Sequence, residues 1–414
     1  MPLETSTTLP DMSAFRYQAA GVSINSRQFL VTGGLDIVND ERVLSSCEYF
    51  DVHTQTWYNL AIDLPHPLMG HGIAFVGDML FVFGGQSRYD WCITPCNTAT
   101  SDVFAVPIPN GDLSNLQAGQ PWKRLTPMMM PRSKFAIVAD DRYVYVIGGN
   151  DGSEYVAYVN GTNPRQMLQY STAERYDVEN DAWVALPNIP FDPGRPHDIG
   201  VGPCSAAGMI GNKIFIVGGK QYYGMLNQEI RIFDIATQSW SFANTYEHGD
   251  DNWSHYLGMA QHCVLTLDEV LLTIGGVFEN REQDFPCPYN HFLDTNIDGF
   301  GCAYEEVRIG WRISLAYMTR RFGCVAGILV ERGHKVAIVA GDQNPCRGRT
   351  AEKLSLESTL AKVRRGRAMS KHRIQRIYNL VRNVFPLVSN RKPLPSKKKA
   401  RYIQQTLDAF VSTT

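Results

Sequence analysis

Five aromatic and β-branched residues end in a glycine pair at Tyr143-Val144-Tyr145-Val146-Ile147-Gly148-Gly149, and this arrangement recurs along the chain. Short runs of this composition that end in a turn signal predict buried β-strands. The glycine pairs begin at residues 33, 84, 148, 218 and 275, and a weaker copy ends in Ala340-Gly341. The first glycines are 51, 64, 70 and 57 residues apart. This period predicts a repeat of four strands joined by loops of variable length.

A tryptophan follows most glycine pairs. Three aspartates precede a tryptophan by six residues, namely Asp51 before Trp57, Asp177 before Trp183 and Asp234 before Trp240. A turn of constant length between two strands predicts a tight hairpin, which we assign to the third and fourth strands of each repeat. We expect each tryptophan, Trp122 and Trp311 included, to open the fourth strand and to pack over a glycine pair, where a side chain would block it.

Taken together, the glycine pair, the Tyr-Asp pair, the tryptophan and Pro-rich crossovers such as residues 127–132 resemble the kelch repeat. The resemblance covers roughly residues 9–341. It implies an all-β fold, a six-bladed kelch-type β-propeller, of the kind that usually serves as a protein-binding platform. The second repeat lacks the Tyr-Asp pair, and no BTB-like segment is recognisable in the sequence.

The last blade is expected to be incomplete or irregular. It has clear first and second strands but no clear third or fourth strand before the chain becomes basic. Residues 3–9 could supply one missing strand by returning to the end of the chain. Residues 353–360 could supply another, although their apolar spacing fits a helix equally well.

Charge divides the chain into a kelch propeller at residues 1–346 and a basic C-terminal tail, partly helical or disordered, at residues 347–414. The tail holds 17 Lys and Arg against three Asp and Glu, whereas the net charge of the whole chain is −2. One basic cluster comprises Lys397, Lys398, Lys399 and Arg401. Such clusters are typical of nuclear-import signals or of contacts with an acidic partner or nucleic acid. The alternative is a solvated helix that lies back on the acidic propeller.

Other features of the composition predict an intracellular, cytoplasmic protein, with nuclear import left open by the tail. The N-terminus has no basic and apolar leader, and no apolar run is long enough for a membrane span. The nine cysteines have no CxxC spacing, so we expect mostly reduced thiols. Cys92 with Cys96, and Cys287 with Cys302, could pair only if the protein were exported. We expect no cofactor.

Loop length predicts a binding face. In an antiparallel meander, the loops that join second to third strands share one side with the loops that lead to the next first strand. These loops are the long ones, at residues 86–101, 150–172, 191–203, 243–256 and 277–302. They carry side chains of the types that anchor interfaces, namely Arg88, Tyr89, Trp91, Tyr155, Tyr158, Tyr222, Tyr223, Trp253 and Phe285. The prediction is a non-enzymatic scaffold or adaptor that binds another protein here.

Two motifs have the residue types of metal sites. One fits a Ca²⁺ loop through Asp294, Asn296, Asp298 and Glu305. The other resembles the iron-binding motif of plant specifier proteins, themselves kelch propellers, through Glu247, Asp251 and His255. The first lacks flanking helices, and the four-residue spacing of the second converges only on a helix, so solvated turn residues are the simpler interpretation. A metal-dependent enzyme, specifier-like or sugar-modifying, is the alternative function.

Overall fold

The computed structural model of the chain describes residues 6–39, 42–88, 99–151, 171–190, 201–220, 226–227, 229–247, 259–268, 270–280, 283–286, 289–294, 307–317, 323–341 and 348–357. Residues Met1–Ala361 form one compact unit, and Lys362–Thr414 form a second. All described strands belong to the first unit. None of the helices within the described residues has the length and apolarity needed to cross a membrane.

Strand β1 precedes the first sheet in the sequence but is not part of it. The elements are β1 (Thr7–Leu9), β2 (Ala20–Ser23), β3 (Gln28–Thr32), β4 (Leu35–Asp36), β5 (Arg42–Val43), β6 (Cys47–Asp51) and β7 (Thr56–Asn59). The sheet is antiparallel in the order β2-β3-β6-β7, and β4 and β5 form a separate hairpin. Every residue of β3 is buried, whereas β7 at the outer edge is mostly exposed. The apolar runs before glycine pairs are therefore central strands, as their composition predicts.

The second and third sheets repeat this order. They consist of β8 (Gly72–Val76), β9 (Met79–Phe83), β10 (Val103–Pro107) and β11 (Lys123–Arg124), then β12 (Ala136–Ala139), β13 (Tyr143–Ile147), β14 (Ala173–Asp177) and β15 (Ala182–Ala185). In the second sheet, two 3₁₀ helices (Pro109–Gly111 and Leu113–Asn115) replace the tight turn between the third and fourth strands. Leu113 is buried in a core cluster that it shares with Leu30 of β3. The insertion therefore packs against the first sheet.

The next sheet has eight strands. The segment contains β16 (Ala206–Ile210), β17 (Lys213–Val217), β18 (Glu229–Asp234), β19 (Ser239–Glu247), β20 (Met259–Ala260), β21 (Cys263–Leu267), β22 (Val270–Ile274), β23 (Val277–Asn280), β24 (Gln283–Pro286), β25 (Tyr289–Asp294) and β26 (Val307–Tyr317). The sheet order is β16-β17-β18-β19-β26-β25-β22-β21, and β20, β23 and β24 form a small separate sheet. We call the eight-stranded sheet the double sheet. Strands β19 and β26 join its two halves by parallel pairing.

The double sheet corrects one prediction. Six separate blades were expected, but the described strands form five large sheets, because the outer strands β19 and β26 are long enough to pair with each other. In the fifth repeat, β25 lies beside β22 as the third strand, and β26 forms the outer, fourth strand.

The last large sheet joins both ends of the unit. It has the order β1-β29-β28-β27, with β27 (Val325–Glu331), β28 (His334–Ala340) and β29 (Ala351–Ser355). The predicted return of the N-terminal residues is confirmed, since Thr7 pairs with Lys353 and Leu9 with Ala351. The predicted boundary at residue 346 is too early, because β29 lies beyond it and pairs with the edge of β28. Residues 351–355 form a strand. For the part from residue 353 onward, the spacing of apolar residues had fitted a helix equally well.

The first strands of the sheets meet around a common axis. Strands β2, β8, β12, β16, β21 and β27 contact one another in that order, and β27 contacts β2. A ring of six residues with positive φ precedes them, formed by Gln18, Gly70, Lys134, Cys204, Gln261 and Gly323. Each backbone N–H of the ring donates to the carbonyl oxygen of the preceding member, at 2.7 to 3.2 Å, and Gln18 closes the ring on Gly323. The propeller is therefore closed by backbone hydrogen bonds as well as by β1.

The packing of glycines and tryptophans differs from the prediction. A Cβ atom on Gly148 would lie 2.2 Å from the Val201 carbonyl oxygen, in the segment that leads to the next sheet. The glycines thus admit backbone from the neighbouring sheet. Trp57, Trp183 and Trp240 instead pack, at a tilt, against the aromatic residue opposite them in the third strand. Trp183 does so against Tyr176, at 5.0 Å between ring centroids. The Trp183 indole N–H also donates to the Thr126 carbonyl at 2.9 Å.

Candidate protein-binding face

Two classes of loop lie on one side of the propeller, as the strand order requires. Isolated backbone bridges join the residue before the ring position to the residue after the glycine pair, in the pairs Tyr17 with Leu35, Met69 with Gln86, and Ser133 with Asn150. The second-to-third connections and the loops that lead to the first strands therefore start and end side by side. We call this side the long-loop face. The side that carries the Gly77-Asp78 turn is the short-turn face.

The hairpin of β4 and β5 presents an apolar side chain on the long-loop face. Val38 is 55% exposed, the largest value among the exposed large hydrophobic residues described. The Asp36 carboxylate accepts the backbone N–H groups of Val38 at 3.1 Å and Asn39 at 3.0 Å, and the Asn39 side-chain amide at 2.8 Å. These bonds hold the turn while its apolar side chain faces solvent.

Arg88 is held next to the second glycine pair. Its side chain is exposed, and its carbonyl oxygen accepts the Gln86 side-chain amide at 3.0 Å. Gln86 is buried, and its amide oxygen accepts the Ser133 hydroxyl at 2.9 Å. Because Ser133 belongs to the segment that enters the third sheet, two repeats fix the position from which Arg88 extends.

Met129 is another exposed apolar residue on the described part of this face. It is 53% exposed and lies in the loop between the second and third sheets. Its N–H donates to Glu174 at 2.8 Å, and Glu174 forms a buried ion pair with Arg132 at 2.9 Å. Arg132 also donates to the Gly148 carbonyl at 2.7 Å. Burial lowers the pKa of Arg132, and the carboxylate of Glu174 opposes that shift.

The predicted partner-binding residues are only partly described. Arg88 is exposed on the long-loop face, and Phe285 lies in β24 between the second and third strands of its repeat. The remaining predicted residues lie outside the described residues, namely Tyr89, Trp91, Tyr155, Tyr158, Tyr222, Tyr223 and Trp253. The sequence prediction did not single out the exposed Val38 and Met129. In the sequence they correspond to the apolar pair 37–38 between Asp36 and Asn39 and to the methionine run at 128–130. Neither lies in the long loops from which the candidates were chosen.

The predicted metal ligands are also only partly described. Glu247 ends β19 and Asp294 ends β25, on either side of β26, where Trp311 pairs with both Glu247 and Leu293. The other predicted ligands are outside the described residues, namely Asn296, Asp298, Glu305, Asp251 and His255, as is the basic cluster Lys397, Lys398, Lys399 and Arg401. Within the described ranges, no three His, Cys, Asp or Glu side chains are grouped to hold a metal ion.

Comparison with known proteins matches this architecture. The family described as KLHDC2/KLHL20/DRC7 Kelch-repeats domain matches residues 18–276, more than half of the chain. The match begins at the first ring residue and ends at the fifth glycine pair. The repeat identified in the sequence is therefore the kelch repeat.

Individual relatives match parts of the chain. Kelch-like protein 7 of Rattus norvegicus is 28% identical over 144 residues, which cover 35% of this chain and 19% of that protein. Beta-scruin of Limulus polyphemus is 24% identical over 220 residues, covering 51% of this chain and 20% of that protein. Kelch domain-containing protein 10 of Xenopus tropicalis is 24% identical over 227 residues, covering 53% and 47%. The matched region thus spans a fifth to a half of these relatives.

Sheet order, the closure by β1 and the family match agree with one another. The described part of residues 1–361 forms an all-β propeller, and the chain belongs to the kelch-repeat family.

Proposed function

We propose that this protein is a non-enzymatic scaffold or adaptor that binds another protein through the long-loop face. The observation that carries the proposal is the exposure of Val38, Arg88 and Met129 on one side, each on backbone held by hydrogen bonds. Anchors on fixed backbone lose little conformational freedom when a partner binds, which favours affinity. The mixture of apolar side chains and an arginine is typical of interface centres.

Among the described residues of the short-turn face, aspartates such as Asp51 and Asp177 are engaged within their own turns, whereas Val38 and Met129 on the long-loop face have side chains exposed to solvent. The Asp51 carboxylate accepts the N–H of His53 at 2.9 Å, and the Asp177 carboxylate accepts that of Glu179 at 3.1 Å. Asp177 also binds Arg142 at 2.8 Å. This difference between the two faces supports the assignment of partner binding to the long-loop face.

The chemistry of the anchors defines the partner surface that would fit. Val38 and Met129 favour apolar side chains, and Arg88 favours a carboxylate in bidentate contact. The basic tail is proposed as a second contact, for an acidic partner or nucleic acid, through Lys397, Lys398, Lys399 and Arg401. Import into the nucleus is the competing proposal for the same cluster.

Hydrogen exchange tests the assignment of the face. The full chain is used to capture a binding protein, and amide exchange is then compared between the free chain and the purified complex. Protection in peptides that cover residues 35–44 and 84–88 is expected. Protection confined to peptides around residues 77–79 and 211–212 would place the partner on the short-turn face and overturn the proposal.

A metal titration discriminates the alternative function, which Glu247 and Asp294 at the ends of β19 and β25 keep open. Isothermal titration of the full chain with Fe²⁺ and with Ca²⁺ is expected to show no stoichiometric binding. Stoichiometric binding that Glu247→Gln or Asp294→Asn abolishes would favour a metal-dependent enzyme.

A further inference from the structure

Two cysteines face each other where the double sheet meets the last sheet. Cys263 opens β21, and Cys324 directly precedes β27. These neighbouring first strands contact each other, and the ring bond from the Gly323 N–H to the Gln261 carbonyl, at 2.9 Å, fixes their relative position. The Cys263 thiol donates to the Cys324 carbonyl oxygen at 3.1 Å. The sulfur of one cysteine therefore lies against the backbone of the other.

The two thiols also interact directly. The hydrogen bond with the Cys324 thiol, together with burial, raises the pKa of the Cys263 thiol well above its usual value. Both cysteines are free thiols in this structure. A disulfide requires the two backbones to be close. Here the strands that carry or follow the two cysteines contact each other, and the Cys263 sulfur lies 3.1 Å from the Cys324 carbonyl oxygen.

We propose that Cys263 and Cys324 form a dithiol site that reacts with oxidised glutathione and becomes a disulfide between the first strands of two sheets. The Cys263 thiol first loses its proton to solvent, a step that its raised pKa makes slow. The thiolate then attacks one sulfur of oxidised glutathione, which forms a mixed disulfide and releases one glutathione thiolate. The Cys324 thiolate then attacks the Cys263 sulfur and releases the second glutathione. The protein loses two hydrogens, and oxidised glutathione is reduced to two molecules of glutathione.

The position of this site gives the bond a structural effect. The two cysteines are 61 residues apart in sequence, so the disulfide would close a long loop that contains the second half of the double sheet. It would also link the double sheet to the sheet that β1 completes. A cross-link at this point opposes separation of these two sheets, because the unfolded chain loses freedom that the folded chain has already lost.

Other described cysteines provide the comparison. Cys47 is buried in the first sheet, and desolvation raises the pKa of its thiol to about 12. Cys204 belongs to the ring and is partly exposed. Cys204→Ser is therefore the matched control, since it changes a cysteine near the same axis without touching the proposed bond.

The test treats the full chain with oxidised glutathione at roughly pH 8. Non-reducing peptide mapping should show one peptide pair joined through Cys263 and Cys324, lighter by two hydrogens and separated again by dithiothreitol. The unfolding temperature should rise on the order of 5 °C. Cys204→Ser should behave like the wild type, and Cys263→Ser should lose both effects.

The same mapping can overturn the proposal. Exhaustive oxidation that gives only glutathione adducts, or disulfides that join other cysteines, would show that the two thiols do not form this bond. A rise in unfolding temperature that persists in Cys263→Ser would show that the stabilisation has another origin.

Discussion

Arg16 and Glu48 form an ion pair at 2.8 Å with side chains that are 0% and 2% exposed. Arg16 also donates to the Gly33 and Ser46 carbonyl oxygens, at 2.7 and 2.8 Å. The segment before the first strand, the glycine pair and the third strand are thus held by one guanidinium. Arg132 and Glu174 repeat this arrangement in the third sheet.

Loss of the carboxylate from this pair is expected to destabilise the propeller. Glu48→Gln leaves the buried Arg16 charge without its counter-charge, which costs about 3 to 5 kcal/mol when a buried pair is broken. The free energy of unfolding from urea titration measures the effect. Glu179→Gln is the control, because Glu179 is 65% exposed in its pair with Arg142, and such pairs contribute less than about 1 kcal/mol. Equal effects of the two variants would contradict the structural role of the buried pair.

Gly148 and Gly211 have similar backbone conformations but different surroundings. Alanine at each position therefore distinguishes the cost of a steric clash from the cost of left-handed backbone. Gly148 has φ +66° with the Val201 carbonyl where its Cβ would be, whereas Gly211 has φ +55° with open space around it. Gly211→Ala should cost about 1 to 2 kcal/mol, the strain of left-handed backbone alone. Gly148→Ala should cost roughly 3 kcal/mol or more in the same urea titration, because the neighbouring sheet must also move. A similar cost for both would exclude close packing between the sheets at Gly148.

Because β1 closes the last sheet, substitutions at its neighbouring residues Leu9 and Thr8 should differ in their effect on the free energy of unfolding. Leu9 is buried in a cluster with Phe29 and Val31, and its neighbour Thr8 is exposed. Leu9→Asp should lower the unfolding free energy by about 3 kcal/mol or more, since it buries an unpaired charge. Thr8→Asn should change it by less than about 0.5 kcal/mol. If β1 were not part of the last sheet, both substitutions would have little effect.

His71 makes the free energy of unfolding of the propeller depend on pH. Burial, with the charges of His66 and Arg16, lowers the pKa of His71 from 6.5 to about 3, and its Nε2 lies 2.8 Å from the Thr32 hydroxyl. As the pH falls through about 6.5, His71 binds a proton in the unfolded chain, but the buried His71 of the folded chain does not. The stabilisation is therefore complete above that pH and is lost as the pH falls toward 3. From about pH 7.5 to about pH 5.5, wild type should lose about 1.4 kcal/mol more than His71→Gln.

Urea titrations of wild type and His71→Gln at the two pH values measure this difference. Parallel losses in the two proteins would mean that His71 accepts a proton in the folded state.

Much of the fold could be predicted because the kelch pattern is local. Glycine pairs mark the ends of central strands, and the step from Asp177 to Trp183 marks a hairpin; both features act over a few residues. The pairing of β19 with β26 could not be predicted, because it joins outer strands of different repeats and depends on where the sheets lie in space. The tryptophans were misplaced for a related reason, since the glycines contact the next sheet and not their own fourth strand.

The side of the propeller that we propose for binding follows from the sequence, but its exposed residues do not. Strand alternation determines which loops share a side, whereas the exposure of Val38 depends on the turn that Asp36 stabilises. Loop length directed attention to the long insertions, and the short hairpin of β4 and β5 carried an exposed apolar residue that length could not indicate.

The most direct test of the account is the affinity of the full chain for a purified partner, compared between Val38→Asp and Val184→Asp. Both valines are about half exposed, Val38 on the long-loop face and Val184 in the outer strand β15. Val38→Asp should weaken binding about tenfold or more, as expected when an interface anchor becomes charged, with an unchanged melting curve. Val184→Asp should bind like the wild type. Equal affinity of Val38→Asp and wild type, with loss of binding in Val184→Asp, would contradict partner binding through the long-loop face.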